Sequence, residues 1–496
     1  MIQFAKDYLL DRINACWVGK NIGGTLGTPY EGTKEILDVK GFVSKPGEPF
    51  PNDDLDLQLV WLRAVNDLGP DAINSKVLGE YWISYITPNW AEYGVSKSNM
   101  RDGILAPMSG EINNPYWRDS NGAWIRTEIW ACLYPAMPEK AIRLAFEDAS
   151  VDHGYGEGTF AAMFVAALES AAFAVHDVGQ LLDIGLSKIP EDCRGARSIR
   201  IVRDSYEKGL DWKECRELLV KDSEDLGWFQ APANVAFVAL GLLYGGGDFK
   251  RSMLITIDCG DDTDCTGATI GSIFGIMNGM SGIPADWMEY IGDGIKSICL
   301  VNGHGRYPVS NAELTKCVFN LLPASLRRDH RQFLTRLCMA PEDMDYVCIG
   351  DTNDFSGLDI ASMKGRDFAD RIGARSRYSY QYEGVYADAL IEFDGYPRIG
   401  PSASLSGRIS LIPKKFFPEQ KHYRLTFYCP EGWQVASDRD LYTPDPMWPK
   451  DVEWGQSSTR FTITSGECVE AVNRIILQIV CPGRPTPILV PIQVLG

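Results

Sequence analysis

Glycines 267, 271, 275 and 279 recur every four residues in "TGATIGSIFGIMNG". On a helix that spacing places them along one ridge. Each glycine costs a helix about 1 kcal/mol relative to alanine. The cost makes sense where a second helix or a ligand approaches closer than side chains would permit. Directly ahead lies "DCGDDTDCTG", residues 258–267, with aspartates at 258, 261, 262 and 264. Carboxylates against an apolar wall are costly unless something neutralises them. Either water solvates them on a loop, or a cation sits among them. The helix is expected to begin just after Asp264, where its partial positive charge favours nearby carboxylates.

A second acidic group lies far upstream in "PNDDLDLQLVWL", residues 51–62. Asn52 is an expected N-cap, and Asp53 and Asp54 fall in the first turn of a nearly all-apolar helix. If the two helix heads meet, five or six oxygens converge, the donor set that Mg²⁺ or Mn²⁺ prefers. Taken singly, each cluster reads equally as a capped helix with solvated charge. The EF-hand pattern does not fit, because its loop glycine and terminal glutamate are missing.

The totals narrow the choice. The formal charge is 48 − 66 = −18. With no basic stripe, that argues against nucleic-acid binding. Thirteen scattered cysteines, an odd number without zinc-site spacing, read as reduced core residues. The N-terminus shows no signal-peptide pattern, and Phe4, Tyr8, Leu9, Ile13 and Trp17 share one helical face. No stretch has the length and apolarity of a membrane span. The expectation is a cytoplasmic protein that binds neither membrane nor nucleic acid, with self-association left open.

A chain of 496 residues suggests two or three domains. Up to about residue 340, segments such as "DLDLQLVWLRAVNDLG", "PEKAIRLAFEDASVDHG" and "TFAAMFVAALESAAFAVHDVGQLLDIGLSKI" repeat apolar residues at three- and four-residue spacing. They predict a compact many-helix bundle. Later, "HYRLTFYC", "RFTITSG", "NRIILQIVC" and "TPILVPIQVLG" are short, β-branched and aromatic, and bounded by turn residues. They predict an antiparallel β-sandwich. The boundary is placed near residues 339–351, giving a helical domain over 1–340 and a β domain over 345–496.

Four pieces now resemble a family. "GGTLGTPYEG" (23–32) is similar to G-D-x-x-G-x-x-x-E, and "NDDLDLQL" stands at the place of a T-D-D motif. "SNGAWIR" (120–126) is similar to G-N-G-x-x-M-R, and "GDDTDCTGATIGSIFG" to G-x-D-T-D-[ST]-x-x-x-x-G. In this order they resemble the ADP-ribosylglycohydrolases over roughly residues 5–330. The implied fold is an all-α orthogonal helical bundle. Here an added C-terminal sandwich follows it, and "PEGWQV" (430–435) resembles a strand-entry turn of immunoglobulin-like domains. Structural support or oligomer contact is its expected role.

The resemblance implies a two-metal site holding Mg²⁺ or Mn²⁺. Asp53, Asp54, Asp262 and Asp264 match its aspartates. Asn52 stands where a threonine usually ligates, and Cys265 where a serine or threonine does. A thiol is a poor ligand for a hard cation, so Thr266 or water would substitute and the second ion would bind less well. Glu31 matches a glutamate over the metals linked to catalysis. Asn121 and Gly122 match the segment along the bound ADP-ribose, and His153 resembles a family histidine ahead of a small-residue helix. Glu157 and His304 are looser substrate candidates.

The implied reaction is hydrolysis of an N- or O-glycosidic bond at a ribosyl C1, in a small molecule or an ADP-ribosylated substrate. Metals would hold the ribose hydroxyls and polarise a water. Carboxylates would stabilise the oxocarbenium-like centre. Glu31 is the favoured acid or base, with Asp53 or Asp261 as alternatives. Three rivals remain. A family member could bind ADP-ribose, a nucleoside or a sugar without cleaving it. A glycosidase could act on another ribosyl compound. "DTDCT" also fits the D-x-D-x-T loop of haloacid-dehalogenase-type phosphatases, which requires a strand directly before it.

Overall fold

The computed structural model describes residues 2–300, 307–326, 347–414, 421–443 and 457–496. The glycine ridge is answered by a second one on α1 (Lys6–Gly27), which is buried almost throughout from Ala15 onward. A Cβ on Gly271 would collide with the carbonyl oxygen of Gly19, and one on Gly275 with that of Ala15. Likewise Gly23 faces the backbone of Gly267, and Gly27 that of Thr263. The paired numbers rise on one helix as they fall on the other. Helix Thr263–Asn278 therefore runs antiparallel to α1 with the two backbones in direct contact. Gly279 is not part of that ridge. It lies past the helix end at φ 69° and caps it, its amide donating to Gly275 O at 2.8 Å.

The predicted helices form with small differences. Asn52 caps α2 (Asp53–Leu68), its Oδ1 accepting from Asp54 N at 2.7 Å. The long apolar stretch after residue 157 breaks into helices Glu157–Ala172 and Val178–Ser187, the second capped by Asp177. Phe4, expected on a helical face, instead lies on strand β1 (Ile2–Ala5), which pairs in parallel with β2 (Val347–Gly350). Its ring still stacks on Tyr8, with centroids 5.9 Å apart. Among the described residues no helix is long and apolar enough to cross a membrane.

The chain divides into two compact units, residues 1–97 with 109–373, and residues 98–108 with 374–496. The first therefore extends beyond the composition change at 339–351. Its helices Ile360–Met363 and Asp367–Gly373 stay with the bundle partly through Lys188, whose ammonium donates to Gly365 O at 2.5 Å.

The second unit holds two antiparallel sheets. One has the order β3 (Ser379–Tyr382), β4 (Ala387–Phe393), β5 (Ser404–Pro413), β9 (Ser458–Thr464), β7 (Gln434–Ser437). The other has the order β11 (Ile488–Leu495), β10 (Val472–Val480), β6 (Lys421–Tyr428), β8 (Asp440–Thr443). Alternate residues are buried on each, Ile391, Ile409 and Ile463 from one, Leu425, Leu477 and Val490 from the other. That period-two burial is the sandwich pattern. Trp433 of "PEGWQV" is buried and donates through Nε1 to Cys468 O at 3.1 Å, consistent with a structural turn.

Gly271→Ala is expected to destabilise the chain by about 3 kcal/mol, because backbone leaves no room for the methyl group. Gly294→Ala, where a Cβ would meet nothing within 4 Å, should stay within about 0.5 kcal/mol. Urea denaturation of both variants checks the contrast.

Candidate metal centre

The contact between α1 and the glycine helix decides where the acidic residues meet. Gly27 ends α1 beside Thr263, whose Oγ1 donates to Gly27 O at 2.8 Å. A short turn, Thr28–Tyr30, then delivers Glu31 to the head of the glycine helix. The backbone locks it there: Gly32 N donates to Asp261 O at 2.8 Å, and Asp261 N to Thr33 O at 2.7 Å.

Two triplets of donor atoms form at this point. In Glu31, Asp262 and Asp264, one carboxylate oxygen from each lies within 4.8 Å of the others. The same holds for Asp54, Asp264 and Cys265, with sulfur as the cysteine donor. Asp264 belongs to both. Asp54 Oδ2, Asp262 Oδ1 and Asp264 Oδ1 are buried without a hydrogen-bond partner. A buried anionic oxygen lacking a donor is expensive, so this donor set fits a cation.

The titration behaviour has the same origin. Burial first, then the charges of Asp264 and Asp53, push Glu31 up to about 7. Burial drives Asp262 to about 7 although Asn121 donates to it. Burial and neighbouring carboxylates raise Asp54 and Asp264 well above the usual range. Asp53 joins neither triplet. Its Oδ2 accepts from the buried Tyr93 hydroxyl at 2.8 Å, and burial raises it as well.

The other expected residues sort by their contacts. Asn121 Nδ2 donates to Asp262 Oδ2 at 2.7 Å, while its Oδ1 accepts from Trp124 Nε1 at 3.0 Å. Gly122 has no room for a side chain, because Glu92 Oε1 occupies the space, and its carbonyl accepts from Arg126. Asn52 Oδ1 accepts from Asp54 N as the helix cap, and its Nδ2 is buried without a partner. Thr266 Oγ1 donates within its own helix to Thr263 O at 3.3 Å.

Asp261, an alternative proton carrier from sequence, has both oxygens committed. Oδ1 accepts from Phe229 N at 3.1 Å and Oδ2 from Asn234 Nδ2 at 3.2 Å. Its φ of 66° fits a clamp between the Glu31 turn and the helix head. His153, expected to touch substrate, is fully buried. Its Nδ1 lies 2.9 Å from Asp152 Oδ1 and its Nε2 3.1 Å from Ser120 Oγ. It thus supports the 120–126 segment from beneath. Glu157 accepts from Arg194 N and Gly195 N, at 2.8 and 2.9 Å, and anchors the start of helix Arg194–Glu207. His304 lies outside the described residues.

The phosphatase alternative needed a strand ahead of Asp262. The chain there is helix Phe249–Asp258.

The family model for ADP-ribosylglycohydrolases matches residues 5–308. The chain belongs to the ADP-ribosylglycohydrolase family. Among solved structures it is similar to an "ADP-ribosylglycohydrolase-related protein complex", at 19% identity and TM-score 0.44, over 64% of this chain and 99% of that one. No curated protein matches. The family is one of glycohydrolases, and this member carries acidic clusters that could hold metal.

Sequence reasoning missed Lys20. It is buried on α1, its Nζ donating to Glu128 Oε1 at 2.6 Å and Ile125 O at 2.7 Å, and it lies 3.9 Å from Asp54 Oδ2. Burial alone would lower its pKa, but Glu128 and Asp54 hold it above the usual lysine range. The available signal was a lone lysine among the buried positions of "ACWVGKNIGG".

The carboxylates give metal-free protein a pH signature. Glu31 and Asp262 bind protons more tightly folded, near 7, than at their ordinary values of 4.5 and 3.8. Their contribution is therefore fully favourable below about pH 4 and is lost as pH rises through 7. Metal-stripped protein should melt at lower temperature at pH 8 than at pH 5. Mn²⁺ should restore the midpoint at pH 8, and Asp262→Asn should flatten the metal-free slope. Differential scanning calorimetry reads all three.

Proposed function

We propose that this protein is a metal-dependent hydrolase of an ADP-ribosyl or related ribosyl N- or O-glycosidic bond. The observation that carries the reading is the pair of triplets sharing Asp264, three of whose buried oxygens lack partners. Glu31, Asp262 and Asp264 would hold one Mg²⁺ or Mn²⁺, and Asp54, Asp264 and Cys265 a second ion. When bound, divalent metal supplies Lewis-acid polarisation and a grip on vicinal ribose hydroxyls.

The chain's own groups divide the remaining work. Glu31 is exposed as a residue, but its carboxyl is partly desolvated beside Asp262 and Asp264 and is pushed up to about 7. That suits a group moving a proton near neutral pH. Asp53, fixed by Tyr93, adds negative charge beside the developing oxocarbenium centre. Asn121 orients Asp262 and extends the segment along which substrate would lie. Asp261 positions the Glu31 turn rather than reacting. The substrate is a small molecule or an ADP-ribosylated partner, not a nucleic acid, and the setting is cytoplasmic, where the free cysteines stay reduced.

A second reading has its own support. Asn52 is used as a cap and Cys265 is a thiol, so a member that binds ADP-ribose without cleaving it is the alternative. Incubation with ADP-ribosylated peptides and small ribosyl glycosides, followed by mass spectrometry of products, separates the readings. Hydrolysis is expected, with kcat falling roughly 10²–10⁴-fold in Glu31→Gln. Asp262→Asn should lose turnover while its metal-free melting temperature does not fall. Calorimetric binding of ADP-ribose without any product would favour the binder. Retention of most activity in Asp262→Asn would defeat the metal-dependent mechanism.

A further inference from the structure

The two triplets share a ligand but differ in chemistry. Glu31, Asp262 and Asp264 offer oxygen alone, whereas Asp54, Asp264 and Cys265 include a sulfur. All three members of the second triplet are more than nine-tenths buried. Its Asp54 Oδ2 and Asp264 Oδ1 lack hydrogen-bond partners. Cys265 Sγ donates to Asp54 Oδ1, the other oxygen of that carboxylate, at a separation of 3.5 Å. That matches the edge of a tetrahedron with oxygen at about 2.0 Å and sulfur at about 2.3 Å from its centre.

A hard ion does not suit this triplet. Mg²⁺ demands near-octahedral oxygen and gains nothing from a thiol. Zn²⁺ and Co²⁺ accept carboxylate and thiolate together. Lys20 bears on the charge balance: its ammonium, held by Glu128 and Ile125, stands 3.9 Å from Asp54 Oδ2.

We propose that the triplets take different ions. Glu31, Asp262 and Asp264 take Mg²⁺ or Mn²⁺. Asp54, Asp264 and Cys265 take a thiophilic divalent cation of the zinc class, with Cys265 Sγ as a ligand. On binding, the S–H bond breaks, a sulfur lone pair forms the bond to the cation, and the proton passes to bulk water. No electron is transferred. The inference rests on the metal-site reading above and gives its second position a distinct ionic preference.

The test is a Co²⁺ titration of metal-stripped, full-length protein in excess Mg²⁺, followed by absorption. Sulfur bound to cobalt gives a near-ultraviolet charge-transfer band that oxygen ligands do not. The band should saturate at one equivalent, persist in Mg²⁺ and vanish in Cys265→Ser. Circular dichroism checks that this variant is folded. Should it fail to fold, Asp54→Asn keeps the sulfur and should weaken cobalt binding roughly tenfold or more. No band in wild type, a band retained in Cys265→Ser, or unchanged affinity in Asp54→Asn overturns the proposal. Turnover is read separately. A sulfur band without hydrolysis refutes the reaction and keeps the mixed site, whereas hydrolysis without the band refutes only the mixed site.

Discussion

Backbone-to-backbone contact between α1 and the glycine helix is the constraint from which the site follows. Small residues on both helices let the main chains touch at four successive levels, from Ala15 and Gly275 to Gly27 and Thr263. A methyl group at any of the glycines would force the helices apart. Because the helices are antiparallel, the last residue of α1 arrives at the first residue of its partner. Glu31 is then only four residues from the contact, within reach of Asp262 and Asp264, and the backbone bonds of Gly32 and Thr33 to Asp261 hold it there. Packing in the core thus sets the geometry of the acidic cluster.

The electrostatics follow from that placement. The heads of α2 and the glycine helix carry partial positive charge, which favours their carboxylates. It does not satisfy them, since three oxygens remain buried without donors and burial raises every acid in the two triplets. Around this centre several buried polar groups find partners. Arg126 bonds Asp148 at 2.9 Å and Asp152 at 2.8 Å, and His153 lies between Asp152 and Ser120. Asp56 accepts from Ser297 Oγ at 2.7 Å and Cys299 N at 2.7 Å.

Much of this was legible because it rests on local patterns. Glycine spacing announced a close helix contact, the Asn52 cap and the Asp53–Asp54 pair announced a helix head, and alternating strands announced the sandwich. What sequence could not supply was direction. Asp261 and Asp262 are neighbours, yet the left-handed backbone at 261 commits one to Phe229 and Asn234 while the other faces the cluster. His153 drew notice because histidine is rare here, and its buried place 3.1 Å from Ser120 Oγ is a tertiary fact. Lys20 hid for the same reason: a lysine on a helix normally reads as solvent-facing. The strand pairing of β1 with β2 joins residues 345 positions apart, and no local signal predicts such a partner.

The departures from the family motifs are physically linked. Gly24 occupies the position of the aspartate in G-D-x-x-G-x-x-x-E, and the space beside it is filled by the Asn52 amide. A Cβ on Gly24 would stand 2.5 Å from Asn52 Nδ2. An acid at 24 and an asparagine at 52 in this rotamer therefore compete for one volume. Replacing the acid removes a negative charge from the Asp54 side of the cluster, where Lys20 already contributes a positive one. Cys265 puts a sulfur on that same side, where a hard cation prefers oxygen. Asn52 and Cys265 both meet Asp54, while Glu31, Asp262 and Asp264 still offer oxygen alone. The asymmetry is therefore a property of one half of the centre, built from residues that pack against each other.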